Sequence, residues 1–265
     1  MEKNLITAIK TVLVPINNAG KNYIPYNDEL QDRVIRYIDI VTPIALPNSS
    51  AAVFTQFNNA TLTLADVVGN SYFAYNVPLN RYNPESNLGV RTPINKKISF
   101  QNSYIEINAI GAVVPSYAVL VIYYDAPEFA QVNTTNDLAV ESFEVSIKSA
   151  TFKNLLPDNR TLVNKRFKQI AIPTGVTITP SFAECGNELA LNCAYVTLIK
   201  DNYLILDNVP LMVFKEPYYL ESLNFRNIKF DFINSYITVG GNGANEDANA
   251  LVGKSVFFNI LYENN

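Results

Sequence analysis

The chain has 265 residues, 48% hydrophobic and 17% charged, with 20 Lys and Arg against 24 Asp and Glu for a formal net charge of −4. That balance is globular rather than disordered, and it lacks the basic patch or tail that neutralises nucleic-acid phosphates, so no specific nucleic-acid binding is expected. There is no histidine, which excludes Ser-His-Asp and Cys-His nucleophilic sites, histidine metal centres and the commonest general base.

Strand signals dominate the chain from end to end. Runs of Ile, Val, Tyr, Phe and Thr are broken by Pro, Gly and Asn every 8–15 residues, and no apolar 3.6-residue period lasts long enough for a long helix. The start, Met1 to Lys10, lacks the apolar core and small-residue cleavage site of a signal peptide. It offers only Lys3 and Lys10 with Leu5, Ile6 and Ile9 for membrane contact, and no apolar run reaches the roughly 18–20 residues of a spanning helix. The sequons at Asn59, Asn133 and Asn159 therefore carry little weight. In the first half, strands are predicted near 5–14, 34–41, 52–57, 60–67, 71–76, 88–93, 97–107 and 117–124. A polar stretch at 126–137 reads as a linker. In the second half, strands are predicted near 140–150, 163–172, 175–179, 190–199, 203–206, 211–214, 225–239 and 254–262, with an evident loop at 240–249. Asparagine, 34 of the 265 residues, suits the many turns this requires.

The two halves share words. Asn76-Val77-Pro78-Leu79 returns as Asn208-Val209-Pro210-Leu211, and Asn102-Ser103-Tyr104-Ile105 returns as Asn234-Ser235-Tyr236-Ile237, each at an offset of 132 (208 − 76 and 234 − 102). The same shift maps Lys21, Asn22, Pro25, Asn27 and Leu30 onto Lys153, Asn154, Pro157, Asn159 and Leu162, and Ile38, Ile40 and Thr42 onto Ile170, Ile172 and Thr174. From Lys21 to Ile105 there are 23 identities in 85 ungapped positions, against roughly 5 to 7 expected by chance in such a composition. The aromatic-rich closing strands, ending at Asp125 and Glu263, align at 138 instead (263 − 125). Within the long matched strands the buried parity changes at Asn102-Ser103 and at Asn234-Ser235, which predicts a bulge or corner in both. The Asn-Val-Pro-Leu words read as a turn or bent strand, because Pro has no amide and holds its predecessor extended.

Few residues suggest chemistry. Cys185 and Cys193 cannot close a zinc site, and their spacing is no redox motif, so two reduced thiols are expected. The loop residues Asn245, Glu246 and Asp247 offer oxygens but lack the spaced acidic pattern of a calcium loop. Arg33 and Arg36 match Lys165 and Lys168 at the repeat offset, with Arg166 between, and read as structural. A two-carboxylate glycosidase would need a marked acid pair, and none of the 24 acids stands out. Carbohydrate platforms favour Trp, which is absent, although 16 Tyr and 15 Phe could substitute. The expectation is no enzyme, no catalytic residue, no cofactor and no bound metal.

An all-β chain of two tandem eight-stranded units, each of about 130 residues and without Trp, fits two jelly rolls better than two immunoglobulin-like domains. The expected organisation is a first jelly roll at 1–125, the linker at 126–137 and a second jelly roll at 138–265. On the repeat words Asn76–Leu79/Asn208–Leu211 and Asn102–Ile105/Asn234–Ile237, the chain resembles the double jelly-roll major capsid proteins of tailless icosahedral bacteriophages, many of which enclose an internal membrane. The resemblance implies a structural virion protein made in the host cytoplasm. Three copies would form a pseudo-hexameric capsomer that partners itself in the capsid lattice, other capsid proteins at the vertices and an internal membrane where one is present. The alternatives are a minor virion component (vertex, decoration or head-fibre protein) and, third, a paired-jelly-roll protein that binds or hydrolyses glycans. Tyr123, Tyr124, Phe257 and Phe258 are expected to face neighbouring subunits as well as the core.

Overall fold

The computed structural model describes residues 7–67, 71–84, 93–108, 113–126, 138–163, 165–174, 185–215, 231–241 and 246–263. Its backbone is predominantly strand, as the β-branched and aromatic composition requires. The chain divides into two compact units, one formed by Ala8–Thr42 with Ala51–Asp125, the other by Met1–Thr7, Pro43–Ser50 and Ala126–Asn265.

The first unit contains β1 (Thr7–Ile16), β2 (Gly20–Tyr23), β3 (Ile35–Val41), β4 (Ala60–Ala65), β5 (Tyr72–Pro78), β6 (Tyr104–Ile107) and β7 (Ser116–Asp125). Hydrogen-bonded neighbours run β3-β7-β1 on one side and β2-β6-β4-β5 on the other. The second unit contains β8 (Leu138–Ser146), β9 (Asn154–Leu155), β10 (Arg166–Ala171), β11 (Ala194–Lys200), β12 (Tyr203–Pro210), β13 (Asp231–Val239) and β14 (Ser255–Glu263), with two short helices, α1 (Asn187–Cys193) and α2 (Glu246–Leu251). Its neighbours run β10-β14-β8 and β9-β13-β11-β12. Taken in chain order within each unit, both orders read 3-7-1 and 2-6-4-5.

The registers agree as closely as the orders. Thr63 lies opposite Tyr104 and Leu62 opposite Ile105; Thr197 lies opposite Tyr236 and Val196 opposite Ile237. Ile38 pairs with Ile122 and Ile35 with Tyr124, while Ile170 pairs with Ile260 and Phe167 with Tyr262. The offset of 132 holds on β3/β10, β5/β12 and β6/β13, and 138 holds on β7/β14. The ungapped alignment fails at β4/β11, where register requires 134 (197 − 63). The second unit makes up the difference by a tight β11–β12 hairpin, in which Asp201 and Asn202 both take positive φ of 50° and 68°, the signature of a two-residue primed turn.

In the second unit the two sheets face each other. Phe143 of β8, Ile170 of β10 and Ile260 of β14 meet Val196 and Leu198 of β11 around an apolar void of about 10 Å³. Phe232 of β13 stacks on Phe143 and Phe167 at 5.2 and 6.1 Å between ring centroids. Such interdigitated inner faces are the core of a β-sandwich.

Several predicted strands take other forms. Residues 52–57 make one parallel bridge, Val53 to Tyr117, and end in a 3₁₀ turn at Phe57–Asn59 whose Phe57 is buried. The predicted 97–107 strand is split by a 3₁₀ turn at Phe100–Asn102 into a single bridge, Ile98 to Asp66, and β6. Residues 211–214 form a 3₁₀ turn. The start of 190–199 is helical, because Glu188, Leu189, Ala190 and Leu191 favour a helix and Ala190 and Leu191 bury its inner side. In each of these turns the apolar residues enter the core without pairing. The evident loop at 240–249 carries the first turn of α2. Short β2 and β9 were not predicted, and the predicted strands at 88–93 and 175–179, the start of 225–239 and most of the linker lie outside the described residues.

Residues 43–50, predicted as part of the first half, pack within the second unit. Tyr195, fully buried, donates its hydroxyl to the Ala45 carbonyl at 2.5 Å, and Gly241 N–H reaches the carbonyls of Leu46 and Ser49. A Cβ on Gly240 would stand 2.7 Å from the Leu46 carbonyl oxygen, so only glycine fits there.

Candidate functional site

The repeated residues hold local structure, several of them through hydrogen bonds to nearby backbone. Asn22 and Asn154, both buried, peg the turn before their strands. Asn22 accepts from Asn17 N–H and donates to the carbonyls of Asn18 and Gly20; Asn154 accepts from Ser149 N–H and donates to the carbonyls of Ser149 and Phe152. Asn27 accepts from Glu29 and Leu30 N–H, as Asn159 does from Thr161 and Leu162 N–H. Lys21 and Lys153 place their ammonium groups 4.4 and 4.0 Å from the ring centroids of Tyr104 and Tyr236.

The Asn-Val-Pro-Leu word is a bulge followed by a turn. Asn76 and Asn208 both take φ of 49°, a left-handed conformation that Asn tolerates better than most residues. Their N–H groups donate to Thr63 and Thr197 hydroxyls at 3.2 and 3.1 Å, where the ladder register slips. Pro78 and Pro210 end the strands, and Leu79 and Leu211 enter the core fully buried. The corner at the Asn-Ser words is present in both units. Ser103, fully buried, accepts from Ala65 N–H at 3.0 Å and donates to the Ser99 carbonyl at 2.8 Å. Ser235, equally buried, accepts from Ile199 N–H at 3.0 Å and donates to the Asp231 carbonyl at 2.5 Å. A hydroxyl thus replaces a ladder partner where the strand bends.

The remaining singled-out residues are dispersed. Arg36 is spent on a bidentate pair with Asp125, both contacts at 2.6 Å, and on Asn95. Lys165 lies 5.9 Å from the Tyr262 ring centroid. Cys185 is half-buried and Cys193 buried, and both are free; burial pushes the Cys193 thiol up to about 12, with the negative charge of Asp247 adding to the shift. Asn133 and Asn245 lie outside the described residues. Among the described residues no three His, Cys, Asp or Glu side chains gather as a metal site, and no helix is long and apolar enough to cross a membrane.

Tyr123, Tyr124, Phe257 and Phe258 do not supply outward surface. All four are at most 5% exposed, because β7 and β14 are the central strands of their three-strand groups. Tyr123 donates to Asp39 at 2.8 Å and Tyr124 to Glu29 at 2.5 Å, and Glu29 also pairs with Lys10 at 2.6 Å. An outward apolar surface lies on the other sheet of each unit, while Val140 of β8 is exposed on the three-strand side. In the first unit it comprises Tyr23, Tyr72 and Tyr75, with Tyr72 and Tyr75 in ring contact at 5.3 Å. In the second it comprises Leu155, Tyr203 and Ile233, with Phe152 on the adjoining turn. Tyr23 and Leu155 occupy equivalent edge positions (155 − 23 is 132). Their short edge strands gave too little alternation to be seen in sequence. No known family, curated protein or solved structure matches the chain.

Proposed function

We propose that each unit is a jelly roll, that the two arose by duplication, and that the chain is a major capsid protein whose threefold homo-oligomer forms a pseudo-hexameric capsomer of an icosahedral phage shell. The single observation that carries this reading is the recurrence of one strand order, 3-7-1 with 2-6-4-5, at matched register in both units. A jelly roll interleaves chain-distant strands in this way between two packed sheets of four. Ile94 N–H donates to the Arg36 carbonyl and Ile35 bridges Lys96, so residues 94–96 run along β3, the neighbour of a jelly roll's remaining strand.

Two further observations support a structural role. The repeated residues are consumed in holding bulges and turns, which is work for a scaffold. The exposed aromatic and aliphatic side chains on the four-stranded sides, Tyr23, Tyr72 and Tyr75 in one unit and Phe152, Leu155 and Ile233 in the other, supply the apolar centres that obligate interfaces need. Two similar units per chain give three chains six similar lobes, and closed threefold symmetry ends growth within the capsomer. Light scattering and negative-stain imaging of the purified protein test this. The expected result is a trimer with a six-lobed outline; a monodisperse monomer across micromolar concentrations refutes it.

A further inference from the structure

One end of the first unit is indented. The loop at 26–32, the end of β4 and the turn at 98–102 surround a cleft of about 340 Å³, within the range of small-molecule sites. Ile98 and Phe100, both buried, line its apolar part. Its exposed rim is Tyr26, Gln31, Asp32, Val67, Gln101 and Asn102, polar but for Val67. The frame beneath is firm: Asn27 caps the loop that carries Gln31 and Asp32, and the Ser103 hydroxyl anchors the turn that carries Gln101 and Asn102.

The second unit serves as an internal control. It keeps the frame, with Asn159 capping its loop, Ser235 anchoring its turn and Phe232 in the place of Phe100. At the rim positions of Gln31 and Gln101 it has Val163 and Ile233, which are 40% and 65% exposed. The fold therefore tolerates apolar side chains at these positions, and the polar rim of the first unit is not a requirement of the sandwich.

The chemistry of the rim selects a ligand class. No Lys or Arg lines the cleft, which disfavours phosphate and other anions. Asp32 is the only carboxylate in the lining, too few charged oxygens for a Ca²⁺ cage of six to eight ligands. Three side-chain amides, each donor and acceptor, join one carboxylate and the hydroxyls of Tyr26 and Ser99. Tyr26 hydrogen-bonds Gln31 and Asn102 bonds Ser99, and the Tyr26 hydroxyl also faces the carboxylates of Asp28 and Asp32. Mixed donors and acceptors beside an aromatic ring that is half exposed match the vicinal hydroxyls and the apolar face of a sugar ring.

We propose that this cleft binds an uncharged saccharide, with the Tyr26 ring against the sugar face and Asp32 and Gln101 taking its hydroxyls. The site goes beyond the capsid reading and does not rest on it. Saturation-transfer NMR on the purified full chain tests it, with maltotriose, cellotriose and chitotriose as neutral probes and 3′-sialyllactose as the anionic one. Transfer to at least one neutral probe is expected, roughly tenfold weaker binding in Tyr26→Ala and in Gln101→Ala, and no change in Val163→Ala. All three positions are exposed, so the variants should fold; unaltered amide spectra away from the substitution verify that. Transfer to no neutral probe, transfer to sialyllactose alone, or unchanged binding in both cleft variants overturns the proposal.

Discussion

Replacing Ser235 by alanine isolates the bond that bends β13. The hydroxyl is fully buried, accepts from Ile199 N–H at 3.0 Å and donates to the Asp231 carbonyl at 2.5 Å. Asp231 sits at the strand start, partly exposed, so water can hydrate its carbonyl in the variant. The Ile199 amide, part-buried, loses its partner where the ladder register slips, and an orphaned donor there costs about 1–3 kcal/mol. At about 2–4 °C per kcal/mol for a chain of this size, Ser235→Ala should melt some 2–12 °C lower. Ser103→Ala removes the matching bond to Ala65 N–H and should cost the same within about 0.5 kcal/mol. The two sites lie in different units and share no partner, so the double variant should be additive to within about 0.5 kcal/mol. Urea denaturation followed by circular dichroism measures the energies, and amide hydrogen exchange at Ile199 and Ala65 localises them. Ser142→Ala, which loses only an exposed bond to Asn259, is the control and should stay within about 0.5 kcal/mol. If Ser235→Ala unfolds like the control, or the Ile199 amide stays fully protected, the hydroxyl is not a ladder partner and the reasoning fails.

The left-handed Asn208 should be replaceable by glycine with little effect, whereas Asn208→Ala should cost about 1–2 kcal/mol through backbone strain; equal melting of the two variants would contradict the φ of 49°. In native protein at pH 8, a thiol reagent should modify Cys185 first and Cys193 only after denaturation, since Cys193 stays a neutral thiol until its raised pKa of about 12 is approached. The sign follows: the Cys193 contribution to stability is complete below its ordinary pKa of 9.0 and is lost as pH climbs from there to about 12. Two native thiols reacting at one rate would refute the burial argument.

The all-β character and the correspondence between the halves are legible in the order of residues alone. The residues that recur do local work: Asn27 and Asn159 cap their own next turns, and Asn76 and Asn208 set their own φ. A side chain bonded within a few positions leaves its mark in a short word, so the word is readable without coordinates. The corners at Ser103 and Ser235 were legible for a related reason, because the period of two must break where a strand bends. Sequence also suggested an outward role for Tyr123, Tyr124, Phe257 and Phe258, and there it misled. Alternation separates two faces of a strand, but whether both are covered depends on the strand's neighbours.

Those neighbours were decided by tertiary structure. β2 and β9 exist because β6 and β13, some eighty residues away along the chain, present free edges to them. Helix α1 spans seven residues, shorter than any window in which a 3.6-residue period can be told from a strand. Residues 43–50 join the second unit because Gly240 leaves room for the Leu46 carbonyl and Tyr195 reaches Ala45, and neither condition is written near residue 43. The cleft of the first unit likewise needs Tyr26 and Gln101 on one rim. Backbone geometry and side-chain period are properties of neighbours in sequence, and so were readable; pairing, coverage and cavities join residues distant in sequence, and only the folded chain brings them together.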